Sequence, residues 1–282
     1  MCRFALYMGE PITLDLLTTR PEYSIIHQSF KARMREEPLN GDGFGLAWYV
    51  PGISPEPALF RSIQPAWNNI NLLHLARVTV SGVILAHVRA ATEGFSVSEQ
   101  NCHPFVADRY AFMHNGSVAE FKQIKRRMRA DLSEESYLWI HGTTDSEHLF
   151  ARFRDHAAKR QGGDPTVAMA DALAATIDDV RRMTESVGTT RRSMLNLAVS
   201  DGELAVVSRY ATHGTEPLSL YYCTGTKYSC DEDACRMVEG DAGTTVLIAS
   251  EPLTSDTLWQ AVPANHLLMV FPDHHLEMRP LE

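Results

Sequence analysis

At 282 residues and 44% hydrophobic content the chain is long enough to bury one large core or two small ones. A formal charge of −9 argues against a basic nucleic-acid surface, and no segment approaches the roughly eighteen apolar residues of a membrane span. No basic run followed by an apolar stretch opens the chain, so a cytoplasmic protein is expected, with neither nucleic acid nor membrane among its partners.

The five cysteines, Cys2, Cys102, Cys223, Cys230 and Cys235, are too few and too irregular for a disulfide framework and are expected to stay reduced. Cys230 and Cys235 stand further apart than the usual closely spaced ligand pair, so they read as ordinary buried or loop thiols. No metal site and no cofactor are expected.

Met1-Cys2 begins the chain. If Met1 is removed, and cysteine is small enough at position two for that, Cys2 carries a thiol and a free α-amine on one Cα. The amine titrates near about 7.7–8.0 and the thiol near about 8.5, so one residue supplies both nucleophile and proton acceptor. Arg3 to Met8 alternates, with Phe4, Leu6 and Met8 opposite Arg3, Ala5 and Tyr7, which predicts a half-buried strand that holds Cys2 at its start. Thr13 is a candidate cap for a short helix through Leu17, and Tyr23 to Arg35 reads as a second helix with Ile26, Phe30 and Met34 on one face. Asn40-Gly41-Asp42-Gly43 is a turn into a strand at Phe44–Val50, its two glycines implying a close backbone approach.

A proline-rich loop leads to a short strand at Leu59–Ser62 and a helix from about Asn68 to Ala76. Val83 to Val88 is apolar enough to be buried on both faces, and it delivers Arg89 to its end. A guanidinium there cannot shed its proton, so it needs a structural carboxylate, solvent or a substrate carboxylate. Tyr110–His114 is another strand, ending in Asn115-Gly116. Asn-Gly is a common tight turn, yet a helix follows (Ala119–Ala130), so the amide groups could instead serve as oxyanion donors. The basic residues Lys122, Lys125, Arg126, Arg127 and Arg129 of that helix read as a solvated face.

Thr143-Thr144-Asp145-Ser146-Glu147 precedes Leu149, Phe150 and Phe153 at helical spacing, which makes Thr144 or Asp145 a helix cap. Capping explains an aspartate here; a carboxylate pointing into a pocket beside Arg89 would instead complete a pair of anchors for the zwitterionic end of an amino acid. Gly162-Gly163-Asp164-Pro165 breaks the chain as an internal loop, and Thr166 to about Val187 forms a long helix. Strands then dominate: Met194–Val199, a turn at Asp201-Gly202, Leu204–Tyr210, Leu218–Cys223, Val246–Ala249, His266–Phe271 and His275–Met278. Short connections imply antiparallel sheets covered by the amphipathic helices.

Taken together, Cys2 after Met1, the Asn40-Gly41-Asp42-Gly43-Phe44-Gly45 turn, His87-Val88-Arg89-Ala90-Ala91-Thr92, Asn101-Cys102-His103-Pro104-Phe105, His114-Asn115-Gly116 and Thr144-Asp145-Ser146-Glu147 resemble the class II glutamine amidotransferases of the N-terminal nucleophile hydrolase superfamily. Ile248-Ala249-Ser250-Glu251-Pro252-Leu253 and Val262-Pro263 resemble the segment that closes this domain in longer members. The resemblance implies an α+β fold, a four-layer αββα sandwich of two antiparallel sheets, as one amidotransferase domain over 1–282. It implies Cys2 as nucleophile, Asn115 and Gly116 as oxyanion hole, Arg89 and Thr92 on the substrate α-carboxylate and Asp145 on its α-ammonium. At Asn40 many members with attached synthase domains carry arginine, so this loop is expected to close differently over substrate.

The opening Met-Cys-Arg-Phe, Pro65-Ala66-Trp67-Asn68-Asn69 and Ser250-Glu251-Pro252-Leu253 resemble the small stand-alone branch of glutathione-degradation and ergothioneine-pathway γ-glutamyl hydrolases. The expected reaction is hydrolysis of a γ-glutamyl amide, in glutamine or in a peptide such as glutathione, through a Cys2 thioester. The alternative is a glutaminase subunit that supplies ammonia to a synthase on a separate chain. About thirty residues follow the Pro252 region, too few for an acceptor domain of roughly 100–200 residues, so a peptidase or synthase would be a partner chain. A second copy of this chain is also compatible with the sequence.

Overall fold

Most strands of this chain carry apolar residues on both faces, which requires cover on both sides of each sheet. In the computed structural model, which describes residues 2–34, 39–91, 96–160, 162–231, 234–240 and 244–281, that cover is arranged in four layers. The first half of the chain runs β1 (Arg3–Thr13), α1 (Asp15–Thr18), α2 (Ile25–Phe30), β2 (Phe44–Val50), β3 (Ser54–Ser62), α3 (Ile70–Ala76), β4 (Val80–Val88), β5 (Phe105–Ala107) and β6 (Tyr110–Ser117). Four helices follow: α4 (Phe121–Ala130), α5 (Glu134–Trp139), α6 (Asp145–Ala158) and α7 (Pro165–Ser186). The rest is β7 (Met194–Ser200), β8 (Ala205–Arg209), β9 (Tyr221–Gly225), β10 (Lys227–Cys230), β11 (Cys235–Val238), β12 (Thr245–Ala249), β13 (Gln260–Ala261), β14 (His266–Val270) and β15 (Leu276–Pro280).

One antiparallel sheet has the order β13-β9-β12-β1-β4-β2-β3 and the other β15-β14-β8-β7-β6-β5. Phe4, Leu6 and Met8 of β1 meet Ala111, Met113, Ala198 and Val207 in the layer between the sheets. On the outer face of the first sheet Ala5 and Tyr7 pack with Leu17, Ile25 and Leu72 from the short helices, and with Tyr228 and Met237 of the β10-β11 hairpin. Outside the second sheet Phe112, Leu197 and Met269 pack against Ile124, Phe150, Phe153, Leu173 and Ile177 of α4, α6 and α7. The expected αββα sandwich is therefore the observed one. Among the described residues no helix is long and apolar enough to cross a membrane.

Several local expectations change. β1 is buried on both faces rather than half-buried, because helices cover the side that carries Ala5 and Tyr7. The helix expected over Tyr23–Arg35 stops at Phe30: Lys31 leaves the helical region, and Arg33 N–H donates instead to a Glu251 carboxylate oxygen at 2.8 Å. Helical spacing at Met34 is thus overridden by a tertiary hydrogen bond. Thr13 caps nothing; it ends β1, and α1 begins after Leu14. Asn115-Gly116 is not a turn, since both residues continue β6 and pair with Asn196 and Leu195 of β7. Cys230 and Cys235, expected as reduced thiols, face each other across the β10-β11 register and form a disulfide. The antiparallel register of β10 and β11 brings the two sulfurs together, which the acidic stretch between them in the sequence conceals.

Candidate active site

Cys2 owes its position to the pairing of β1 with β4, in which Arg3 lies opposite Val88. The residues that follow β4 are therefore brought to the same end of the sheet as Cys2. Its Sγ lies 3.6 Å from the Ala90 carbonyl oxygen, and the residue is buried. Burial pushes the thiol up from its ordinary range; the Ala90 contact and the Arg89 guanidinium oppose that shift, and the Asp145 carboxylate adds to it. Arg89 and Asp145 are thus both near enough to act electrostatically on the thiol.

Arg89 is 3% exposed, yet among the described residues its guanidinium makes only long contacts, at 3.4 Å to the Asp42 carbonyl and 3.3 Å to the Ser96 carbonyl. Among the described residues no carboxylate stands within ion-pair distance of it. Asp42 uses its carboxylate elsewhere, accepting the Ala91 N–H at 2.7 Å, while Arg89 N–H donates to the Gly43 carbonyl at 2.8 Å. The expected close approach at the glycines is real. Gly43 has φ +108°, and a Cβ there would lie 2.7 Å from both Cys102 Sγ and the Ser62 carbonyl oxygen. Asn40 is buried in the same turn, with its Oδ1 lacking a partner among the described residues. Thr92 and Met1 lie outside the described residues.

Asn115 and Gly116 come from the second sheet. The Asn115 side chain donates to Ser250 Oγ at 3.4 Å, and its buried Oδ1 has no partner among the described residues. Only glycine fits at 116, because a Cβ would sit 1.8 Å from the Met194 carbonyl oxygen. Asp145 is the first residue of α6, whose cap is Thr144: Thr144 Oγ1 accepts the Glu147 N–H at 3.2 Å. With capping assigned to Thr144, the Asp145 carboxylate is free to accept the Val118 N–H at 2.8 Å, just beyond Gly116, and its own neighbour's Ser146 N–H at 2.8 Å. One aspartate so ties the start of α6 to the end of β6.

Three buried histidines stand behind these residues. His87 and His103 stack with ring centroids 4.2 Å apart, and His87 Nε2 is 3.2 Å from the His114 carbonyl. His114 Nε2 lies 3.0 Å from the Met194 carbonyl, which can only accept, so Nε2 carries the proton and Nδ1 accepts from Ser146 Oγ at 2.9 Å. Burial drives all three down, His87 to about 3, and they are neutral near pH 7. They line the site without adding charge. Among the described residues no group of three or more His, Cys, Asp or Glu side chains is placed to hold a metal ion.

Alternation along the first strand sets Arg3 opposite its apolar face, and Ser250 and Glu251 stand in the sequence only as part of a closing segment. Arg3 is 2% exposed and ion-paired with Glu251, which follows β12. A charge within an otherwise apolar strand was the available signal, but its partner is 248 residues away. On α4 Lys122, Arg126 and Arg127 are exposed as expected, whereas Lys125 and Arg129 are half-buried, Arg129 Nε donating to the buried His148 at 2.9 Å.

Residues 17–278 match the family described as glutamine amidotransferases class-II. The chain is 43% identical over 292 aligned positions, 96% of its own length and 82% of the relative's, to the "Probable glutamine amidotransferase DUG3" of Saccharomyces cerevisiae. It is 26% identical to a gamma-glutamyl-hercynylcysteine sulfoxide hydrolase of Mycobacterium tuberculosis, with 96% of this chain and 93% of the relative covered. Among solved structures, a glutamine aminotransferase class-II domain protein from Silicibacter pomeroyi superposes with a TM-score of 0.68 at 28% identity, over 99% of each chain. A cysteine at the head of a central strand, met at one end of a double antiparallel sheet by an arginine, an asparagine-glycine pair and an aspartate, agrees with a match across nearly the whole chain, which belongs to the class II glutamine amidotransferases.

Proposed function

We propose that the chain hydrolyses a γ-glutamyl amide, with Cys2 as nucleophile and with its preferred substrate a γ-glutamyl peptide such as glutathione. The observation that carries this reading is Arg89: a buried guanidinium with two long carbonyl contacts and no carboxylate partner among the described residues. Holding such a charge away from water costs several kcal/mol unless something pairs with it. The α-carboxylate of a glutamyl group supplies that partner, and Asp145 supplies the counter-charge for its α-ammonium. The glutamyl end is then gripped at both charges while the far side of the amide is left open to vary. Similarity to a probable glutamine amidotransferase in yeast and to a gamma-glutamyl-hercynylcysteine sulfoxide hydrolase in Mycobacterium tuberculosis supports a γ-glutamyl substrate.

In this reading the Cys2 amine, freed by loss of Met1, accepts the thiol proton as Sγ attacks the substrate δ-carbon. The Asn115 side-chain amide and the Gly116 N–H stabilise the oxygen that becomes negative. The proton passes to the departing nitrogen, the C–N bond breaks, and a thioester remains on Cys2. Water then attacks the thioester, releasing glutamate and restoring the thiol.

The test is glutamate release by the purified protein from glutathione and from glutamine, with and without candidate peptidase or synthase chains. Release from γ-glutamyl peptides, abolished in Cys2→Ala with the fold unchanged by circular dichroism, is the expected result; loss of a nucleophile in other hydrolases costs on the order of 10⁶ in rate. Release only from glutamine, and only with a synthase and its acceptor present, would replace it with an ammonia-supplying subunit.

A further inference from the structure

Ser250 and Glu251 follow β12 at the end of the sheet where Cys2 lies, and both are buried. Ser250 N–H donates to the Phe4 carbonyl at 3.0 Å, and Phe4 N–H donates back to Ser250 Oγ at 3.0 Å. The Asn115 amide, from the opposite sheet, also donates to Ser250 Oγ, at 3.4 Å. A hydroxyl oxygen has two lone pairs, and here one serves the nucleophile strand while the other serves the asparagine.

Glu251 reaches the nucleophile from the other side. One carboxylate oxygen receives Arg3 Nε at 2.7 Å, and the same guanidinium donates to the Cys2 carbonyl at 2.9 Å. The second carboxylate oxygen receives Arg33 N–H at 2.8 Å. The peptide units on both sides of Arg3 are therefore fixed, one at the Cys2 carbonyl and one at the Phe4 amide. A buried ion pair of this kind is poor value as a stabiliser, since desolvating each ion costs several kcal/mol that apolar packing would avoid. What it provides beside a terminal residue is orientation: with its carbonyl held, Cys2 has a defined peptide plane from which the thiol and amine project.

We propose that Ser250 and Glu251 are positioning residues that hold Cys2 and Asn115 in register across the two sheets. The proposal rests on the reading of Cys2 as nucleophile and Asn115 as oxyanion donor. Neither residue touches substrate; each acts through a neighbour, Ser250 through Phe4 and Asn115, Glu251 through Arg3.

The test is steady-state kinetics of glutamate release from glutathione and glutamine for Ser250→Ala, Ser250→Thr and Glu251→Gln, each first checked for native circular dichroism. Ser250→Ala removes one oxygen and is expected to lower kcat roughly 10–100-fold, the scale of a misplacement of about 1 Å, with KM within about twofold. Ser250→Thr keeps the oxygen and should restore most of the rate. Glu251→Gln should lower kcat in the same direction and slow alkylation of Cys2 by iodoacetamide. If Ser250 acts through Asn115, Ser250→Ala made in an Asn115→Ala background should cost much less than in the wild-type chain. Full additivity, a Ser250→Ala kcat within about twofold of wild type, or a change in KM alone would each overturn the proposal. Should Glu251→Gln fail to fold, the serine pair decides it. Cys2→Ala and Asn115→Ala are run alongside: if either retains wild-type kcat the underlying reading fails, whereas loss in both with a silent Ser250→Ala removes the positioning role only.

Discussion

At one end of the layer between the sheets, His103 keeps both ring nitrogens, His87 its Nδ1 and Asn115 its Oδ1 without partners among the described residues, beside an arginine that has no carboxylate there. At the other end, where the same strands β1, β2 and β4 emerge, the polar groups are satisfied. Tyr49 Oη lies 2.8 Å from the Arg109 and Ser200 carbonyls, and Ser81 Oγ meets the Tyr49 and Val83 carbonyls at 2.7 and 2.8 Å. That far end also opens a cleft of about 270 Å³ between Gly9, Tyr49, Gly82 and Gly202. Space alone does not make a binding site. Buried groups without partners among the described residues, and able to be completed by a ligand, are what favour the Cys2 end as the place for the proposed chemistry.

The contrast can be broken by substitution. Arg89→Ala should lower kcat/KM by about 2–5 kcal/mol, the cost of leaving one charge of a buried pair alone, with stability little changed or improved because no carboxylate among the described residues pairs with Arg89. A large loss of stability with unchanged kcat/KM would show that Arg89 is structural. Asn115→Ala should reduce kcat by roughly 2.7–4 kcal/mol if it is a single oxyanion donor; an effect confined to KM would remove that assignment.

A pH titration sharpens the comparison from the side of stability. His87 is held neutral down to about 3, whereas an imidazole in the unfolded chain protonates near about 6.5. Below about 6.5 the unfolded chain therefore binds more protons, so stability falls as pH drops, by about 1.4 kcal/mol per pH unit from His87 alone until about pH 3. Above about 6.5 both states are neutral and the contribution vanishes. Denaturant melts at pH 7, 6 and 5 should show this slope, flattened by that amount in His87→Gln; an equal slope in both would mean that His87 protonates freely in the folded chain. The smallest effect belongs to the far end: Tyr49→Phe should cost about 1 kcal/mol of stability and leave glutamate release unchanged. Altered kinetics there would mean that the two ends are not independent.

How much of this could be seen in the sequence divides along the same line. The strands that carry Cys2, Arg89 and Asn115 were legible because their residues are apolar in unbroken runs, and α6 was legible because Thr144 and Glu147 make a capping pattern. Local chemistry sufficed there. It failed where a distant residue decides the outcome: the helix after Ser24 stops at Phe30 because Glu251 takes the Arg33 amide, and Asn115-Gly116 stays extended because β7 pairs with it. Arg3 looked like the solvent side of a strand until helices were found on that face. The Cys230–Cys235 bond likewise depends on a hairpin register that no spacing rule announces.

β1 has two neighbours, β4 and β12, and they differ greatly in how far along the chain they are made. While the protein is still on the ribosome, β4 can join β1 once Val88 has emerged, but Ala5 must wait for Ala249 before its other edge is filled. Until then the strand that bears the nucleophile is an open edge, and Arg3 has no Glu251. A nascent chain thus carries the Cys2 thiol long before the Glu251 carboxylate that holds the Arg3 guanidinium against the Cys2 carbonyl.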